Sequence, residues 1–164
     1  MSTTTASNDR ATAPDRPGVF APPPVVYIVG LGVGFGLQVL LPATPLPAAV
    51  RWLLGGALLL AGLVLTVASF TAFRRAGTPA NVFKATTALV TVGPYRVSRH
   101  PAYFALALIY VAIALMASAL WVLVPLPAVL VVTDRCFIAR EERYLERKFD
   151  GEYVRYKART RRWL

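Results

Sequence analysis

Residues 103–133 read YFALALIYVAIALMASALWVLVPLPAVLVVT, 31 positions without a charged side chain. As one helix this run would be about 46 Å long, against a bilayer hydrocarbon core of about 30 Å. One crossing leaves much of it over. Two crossings use all of it if the flanks are borrowed. The first runs over about 101–117, a tight turn falls near Ser118, and the return runs over about 120–139. Pro125 and Pro127 then kink the returning helix, which a membrane helix tolerates when its neighbours satisfy the freed carbonyls. The 26 residues 25–50 are also uncharged. They begin with a span over about 25–41 and end in a turn at Pro42, Pro45 and Pro47. A further span over about 49–73 follows, long enough to cross with some tilt.

The expected fold is therefore an all-α integral membrane protein of about four transmembrane helices. It has a C-terminal helical hairpin and a basic amphipathic tail. Residues 1–24, rich in Thr, Ala and Pro, are read as a disordered tail, and 25–164 as a single membrane-embedded domain. A signal peptide competes for the first apolar run. No small-x-small cleavage site followed by a soluble domain supports it.

The 164-residue chain is 56% hydrophobic with mean hydropathy +0.54. It also carries a net charge of +10 from 18 Lys+Arg and 8 Asp+Glu. Charge and hydrophobicity occupy different segments, which excludes a soluble globular enzyme and argues against a nucleic-acid binder. One cysteine, Cys136, excludes an intrachain disulfide and a cysteine metal cluster, and one histidine, His100, excludes a multi-histidine metal site. With both termini on one side, 17 of the 18 basic residues share that side and Arg51 alone lies opposite. The positive-inside rule makes that side the cytoplasm. The tail's basic residues suit anionic lipid headgroups.

Gly30, Gly32, Gly34 and Gly36 form two overlapping small-xxx-small patterns on the first span. Packing within the chain is the favoured use of these glycines, and homodimerisation the other. Phe149, Tyr153, Tyr156 and Trp163 recur at near-helical spacing and read as an interfacial amphipathic helix beneath the hairpin.

A hairpin folded near residue 119 or 120 pairs residues whose numbers sum to about 240, so His100 meets Arg140 and Glu141 at its mouth. Two polar clusters converge there, Arg96-Val97-Ser98-Arg99-His100-Pro101 and Arg140-Glu141-Glu142-Arg143. Pro101 suits the first turn of a helix, whose unpaired N–H groups favour an anionic group. Glu141 and Glu142 sit near a helix C-terminus, the unfavourable end for a carboxylate. Neighbouring arginines, or a bound cationic or polar ligand, would account for them.

Four ordered blocks carry a family resemblance. They are Thr87-Ala88-Leu89-Val90-Thr91-Val92-Gly93-Pro94-Tyr95-Arg96, Arg99-His100-Pro101-Ala102-Tyr103, Arg140-Glu141-Glu142, and Phe149-Asp150-Gly151-Glu152-Tyr153-Val154-Arg155-Tyr156. Together they resemble the isoprenylcysteine carboxyl methyltransferase and phospholipid methyltransferase family, over residues 73–164. The resemblance implies a membrane enzyme that binds S-adenosylmethionine from the cytosolic side and methylates a small or lipophilic acceptor.

By matching position, Thr87, Ala88, Leu89, Val90 and Tyr95 line the cofactor pocket; His100, Pro101, Ala102 and Tyr103 wrap it; and Glu141 hydrogen-bonds it. A carboxylate suits the cofactor's ribose diol or ammonium, and aromatic faces suit its sulfonium. Glu142 is the candidate base for an acceptor that must lose a proton, and Arg140 its companion catalytic residue. Ala105 stands where many relatives have glycine. Phe137 stands where eukaryotic relatives hold the prenylcysteine carboxylate with arginine, so that substrate is not carried over. The competing reading is a non-catalytic membrane protein that binds lipid or a partner helix through the first span and the basic tail.

Overall fold

The computed structural model describes residues 22–41, 43–79 and 86–163. Most of the N-terminal tail and Lys84 lie outside the described residues. All regular elements among the described residues are helical, with one isolated bridge between Ser98 and Arg161. Helix α1 spans Pro23–Leu40, α2 Gly55–Arg75, α3 Pro101–Met116, α4 Leu126–Val132 and α5 Ala139–Arg159. A π-wound turn, Val50–Leu54, leads into α2, and another, Thr133–Ile138, joins α4 to α5 without a break.

Two helices are long and apolar enough to cross a membrane, Val50–Arg75 and the joined Leu120–Arg159. The other two, α1 with 18 residues and α3 with 16, extend about 27 Å and 24 Å at 1.5 Å per residue.

The hairpin turn falls where the uncharged run predicts it. Ser118 has φ 55°, the residue in the left-handed region that reverses the chain between α3 and the return. The prolines act differently from expectation. Residues Leu120–Leu123 form a 3-10 turn, Pro125 caps α4, and Pro127 occupies its first turn. Both therefore sit where a missing N–H leaves no helical bond unmade, and they start the helix rather than bend its middle.

Small residues bring the helices together. A Cβ on Gly62 would lie 2.7 Å from Ile109 and 3.1 Å from the Ala105 carbonyl, and one on Gly55 would lie 2.7 Å from Met116. Helix α2 thus lies flush against α3. In α1 the four glycines divide by face. A Cβ on Gly34 would lie 2.5 Å from the Val122 backbone and one on Gly30 2.5 Å from Val129, whereas Gly32 and Gly36 face open space. Chain packing consumes one pair and leaves the other outward.

Tyr27 and Tyr110 complete this core, donating to the Tyr103 and Val122 carbonyls at 3.1 and 2.7 Å. At the turn end, the Arg51 guanidinium donates twice to the Met116 carbonyl, at 3.1 and 3.0 Å, closing the C-terminus of α3. The one basic residue expected opposite all others thus sits at the opposite end of α3 from His100.

Candidate active site

Helix α3 begins at Pro101 with His100 as its N-cap, and the Tyr103 and Phe104 amides donate to the His100 carbonyl at 3.2 and 3.3 Å. This start holds His100 at the mouth of the hairpin, 4% exposed. The return delivers Glu141 and Glu142 to the same depth. His100 Nδ1 lies 3.8 Å from Glu141 Oε2, and Nε2 lies 3.5 Å from Glu142 Oε1. The pairing expected from hairpin arithmetic is present.

A narrow cleft with a cavity volume of about 40 Å³, open to solvent, lies beside this cluster; it is smaller in this structure than the roughly 300–1,000 Å³ usual for small-molecule sites. One wall is apolar and aromatic: Phe73 from α2, Leu89, Val90 and Tyr95 from the connecting segment, and Leu145 from α5. Phe73 and Tyr95 meet edge to face at 5.3 Å. The other wall is polar, with Arg99, His100, Glu141, Tyr153 and Tyr156.

Glu141 accepts a 3.1 Å hydrogen bond from the Tyr103 hydroxyl on Oε2; Oε1 accepts none from the described residues. Tyr156 donates to the Tyr95 carbonyl at 2.7 Å, joining the end of α5 to the opposite wall.

Two buried polar atoms of cleft-lining residues, His100 Nε2 and the Tyr153 hydroxyl, lack a hydrogen-bond partner among the described residues, although Nε2 lies 3.5 Å from Glu142. Tyr153 is 1% exposed. A buried unpaired polar group costs about 1–3 kcal/mol, so two among the lining residues mark a surface shaped for a polar ligand. Burial pushes Tyr156 up to about 12 and also raises Tyr153, so both phenols are neutral donors at physiological pH.

Of the residues expected to contact a cofactor, Ala88, Leu89, Val90, Tyr95, His100 and Glu141 line the cleft. Thr87 turns away, its amide donating to Thr78 at 2.9 Å and its hydroxyl to the Gly77 carbonyl at 3.3 Å. Pro101, Ala102 and Tyr103 form the helix start behind the wall, and Tyr103 reaches the site through Glu141.

The two residues read as catalytic do not line the cleft. Arg140 is exposed on α5, whereas Glu142 is 3% exposed and its carboxylate is fully engaged. Oε1 accepts from Arg99 Nε at 2.9 Å and Oε2 accepts from Arg162 Nη2. Burial alone would raise this carboxyl, but His100, Arg162 and Arg99 outweigh it and hold it well below the usual carboxylate range.

Phe73, Thr86, Arg99, Leu145, Tyr153 and Tyr156 also line the cleft. Tyr153 and Tyr156 stood in the sequence as members of an aromatic stripe and of the fourth family block, with no role in the site assigned to either. The stripe itself is interrupted: α5 bends at Asp150, with φ 41° and ψ −122°, and ends at Arg159. Trp163 therefore belongs to a separate segment folded back on the hairpin.

Residues 50–152 match the family model for phospholipid methyltransferase. The chain belongs to that family, a membrane methyltransferase family. A 35-residue stretch is also 57% identical to an uncharacterized protein of Haemophilus influenzae, covering 21% of this chain and 56% of that protein. The chain thus spans about half the length of that relative. No solved structure matches the chain.

Proposed function

We propose that the protein is a four-span membrane enzyme that binds S-adenosylmethionine in the cleft at the hairpin mouth. It transfers the methyl group to a small or lipophilic acceptor at the cytoplasmic membrane face. The observation that carries this reading is a cleft lined by Glu141, His100 and Tyr153, where the Tyr153 hydroxyl is buried without a hydrogen-bond partner among the described residues.

The residues fit the cofactor's chemistry. The aromatic and aliphatic wall of Phe73, Leu89 and Val90 suits a flat purine. Glu141 suits a diol or an ammonium, and the Tyr153 hydroxyl and His100 suit a carboxylate. When bound, the cofactor supplies a methyl group on a sulfonium, already activated for in-line displacement. The protein's part is to orient the reactants and exclude water. Tyr103 fixes the carboxylate of Glu141, and Tyr156 bonds the carbonyl of Tyr95 in the 3-10 turn Gly93–Arg96. Glu142, ionised and held on both oxygens, serves as a fixed anion that orients Arg99; it is not available as a base.

An apolar groove on the outer face of α2 supports a lipophilic acceptor. It has a volume of about 560 Å³, lined by Leu63, Val64, Val67 and Ala68 and by Val92, Gly93 and Pro94. Its wall adjoins that of the cleft through neighbouring residues, Ala72 beside Phe73 and Pro94 beside Tyr95. Arg75 stands at its end. A homodimer through the first span would use Gly32 and Gly36, the outward pair.

The test is transfer of label from methyl-labelled S-adenosylmethionine to a bacterial lipid extract by the purified protein in vesicles. Label in an organic-soluble product, lost in Glu141→Ala, is expected. A folded, cofactor-binding protein that labels nothing in lipid or small-molecule extracts would overturn the catalytic reading.

A further inference from the structure

Residues 160–163 follow α5, lie beyond the stretch that matches the family model, and fold back over the hairpin mouth. We propose that they form a latch whose docking is coupled to cofactor binding, with Arg162 as a positioning residue that, through Glu142, fixes Arg99 and His100 on the cleft wall. The proposal rests on the reading of the cleft as a cofactor site.

The latch pairs with the segment that leads into α3. The Arg99 amide donates to the Arg161 carbonyl at 2.9 Å, and the Arg161 amide donates to Val97 at 3.2 Å. Ser98 adds a hydroxyl bond to the Arg162 carbonyl at 3.3 Å. The Arg99 guanidinium, on the cleft wall, donates to the carbonyls of Lys157, at 3.0 Å, and Thr160.

The side chains reach further. Arg162 Nη1 lies 3.3 Å from both oxygens of Asp134, its Nη2 bonds Glu142, and Trp163 Nε1 donates to Asp134 at 3.3 Å. A carboxylate at the end of an apolar span needs partners, and among the described residues the side-chain hydrogen bonds to the Asp134 carboxylate come from the latch. Arg135 adds only a 3.9 Å contact from a side chain 81% exposed.

The consequence falls on Arg99 and His100. Arg99 and Arg162 bond the two oxygens of Glu142, and His100 Nε2 lies 3.5 Å from Oε1. One buried carboxylate thus holds two residues of the cleft wall. Without Arg162, Glu142 is half-paired and free to shift, and its hold on Arg99 and His100 loosens with it. Because coupling is reciprocal, a ligand that needs this arrangement must also hold the latch down.

The experiment uses the full chain in detergent, with S-adenosylmethionine as the probe. Titration gives Kd, and brief trypsin treatment reads latch release as cleavage after Arg159 and Arg161. In the parent protein the cofactor is expected to slow this clipping several-fold. Arg162→Ala is expected to raise Kd about 10-fold or more and to abolish the protection. Arg162→Lys should fall between, since one ammonium does not replace a planar fork spanning two carboxylates. Should Arg162→Ala not fold, Asp134→Asn carries the same expectation. Parent Kd in a variant that folds, or clipping indifferent to cofactor in the parent, overturns the latch alone. A parent protein that binds no cofactor overturns the cleft reading and the latch with it.

Discussion

At the scale of single residues, the cleft is defined by what its side chains leave unbonded. The Tyr153 hydroxyl has no hydrogen-bond partner among the described residues, so Tyr153→Phe should leave the melting temperature unchanged or slightly raised. It should also weaken S-adenosylmethionine binding about 5- to 10-fold, the worth of one hydrogen bond. Unchanged affinity by calorimetry would remove Tyr153 from the site.

Glu142 makes the opposite prediction. Its carboxyl is depressed in the folded protein from an ordinary value of 4.5. It therefore adds stability that is fully present above that pH and is lost as pH falls toward its folded value. Glu142→Gln should be less stable than the parent at neutral pH by about 3 kcal/mol. The gap should narrow steadily on acidification below pH 4.5; a constant gap in melts from pH 7 to 3 would contradict the assignment.

His100 and Glu141 were legible because hairpin geometry converts sequence distance into depth. Tyr153 was not, because a phenol on a helical stripe reads the same whether its hydroxyl is satisfied in the core or waits for a ligand. The burial of Glu142 away from the cleft was hidden for a related reason. Adjacent glutamates point to different faces of a helix, and sequence did not show that Arg162 returns to meet the second.

Between elements, packing depends on where glycine faces a neighbouring backbone. Gly34→Val drives a side chain into the Val122 backbone and should cost about 2–3 kcal/mol. Gly32→Val points into open space and should leave stability nearly unchanged in the same thermal assay. Equal losses in both variants would mean that Gly32 is covered by another chain, the dimer arrangement.

The four glycines of α1 were readable as a pattern, but only the arrangement of helices shows which pair is used. The hairpin turn was readable from length alone, since 31 uncharged residues exceed one crossing. The continuity of the return into α5 was not, because Asp134 and the charges beyond Ala139 resemble the end of a helix. The chain instead runs through the π-turn Thr133–Ile138, placing Asp134 within reach of the C-terminal segment.

Across the whole molecule, charge and shape assign one end to chemistry and the other to closure. Arg51 seals the turn end of α3, while His100, Glu141 and the basic helix α5 gather at the other. In a Cys136→Ser background, a cysteine at Thr44 should react with an impermeant maleimide added outside intact cells. One at Gly151 should react only after permeabilisation. The reverse pattern would invert the proposed orientation. Composition was sufficient to place the chain in a bilayer and its sequence blocks to place it in a family, but the groove along α2 arises from packing and left no mark in the sequence.

The central claim is that the hairpin mouth is a binding site for S-adenosylmethionine. Calorimetric titration of the purified protein, in lipid as well as in detergent, tests it most directly, with Glu141→Ala as the comparison. Saturable binding with one site per chain is expected, lost or weakened at least tenfold in the variant while its helices stay folded. A well-folded parent protein that takes up no cofactor, or a variant that binds as tightly as the parent, would contradict it.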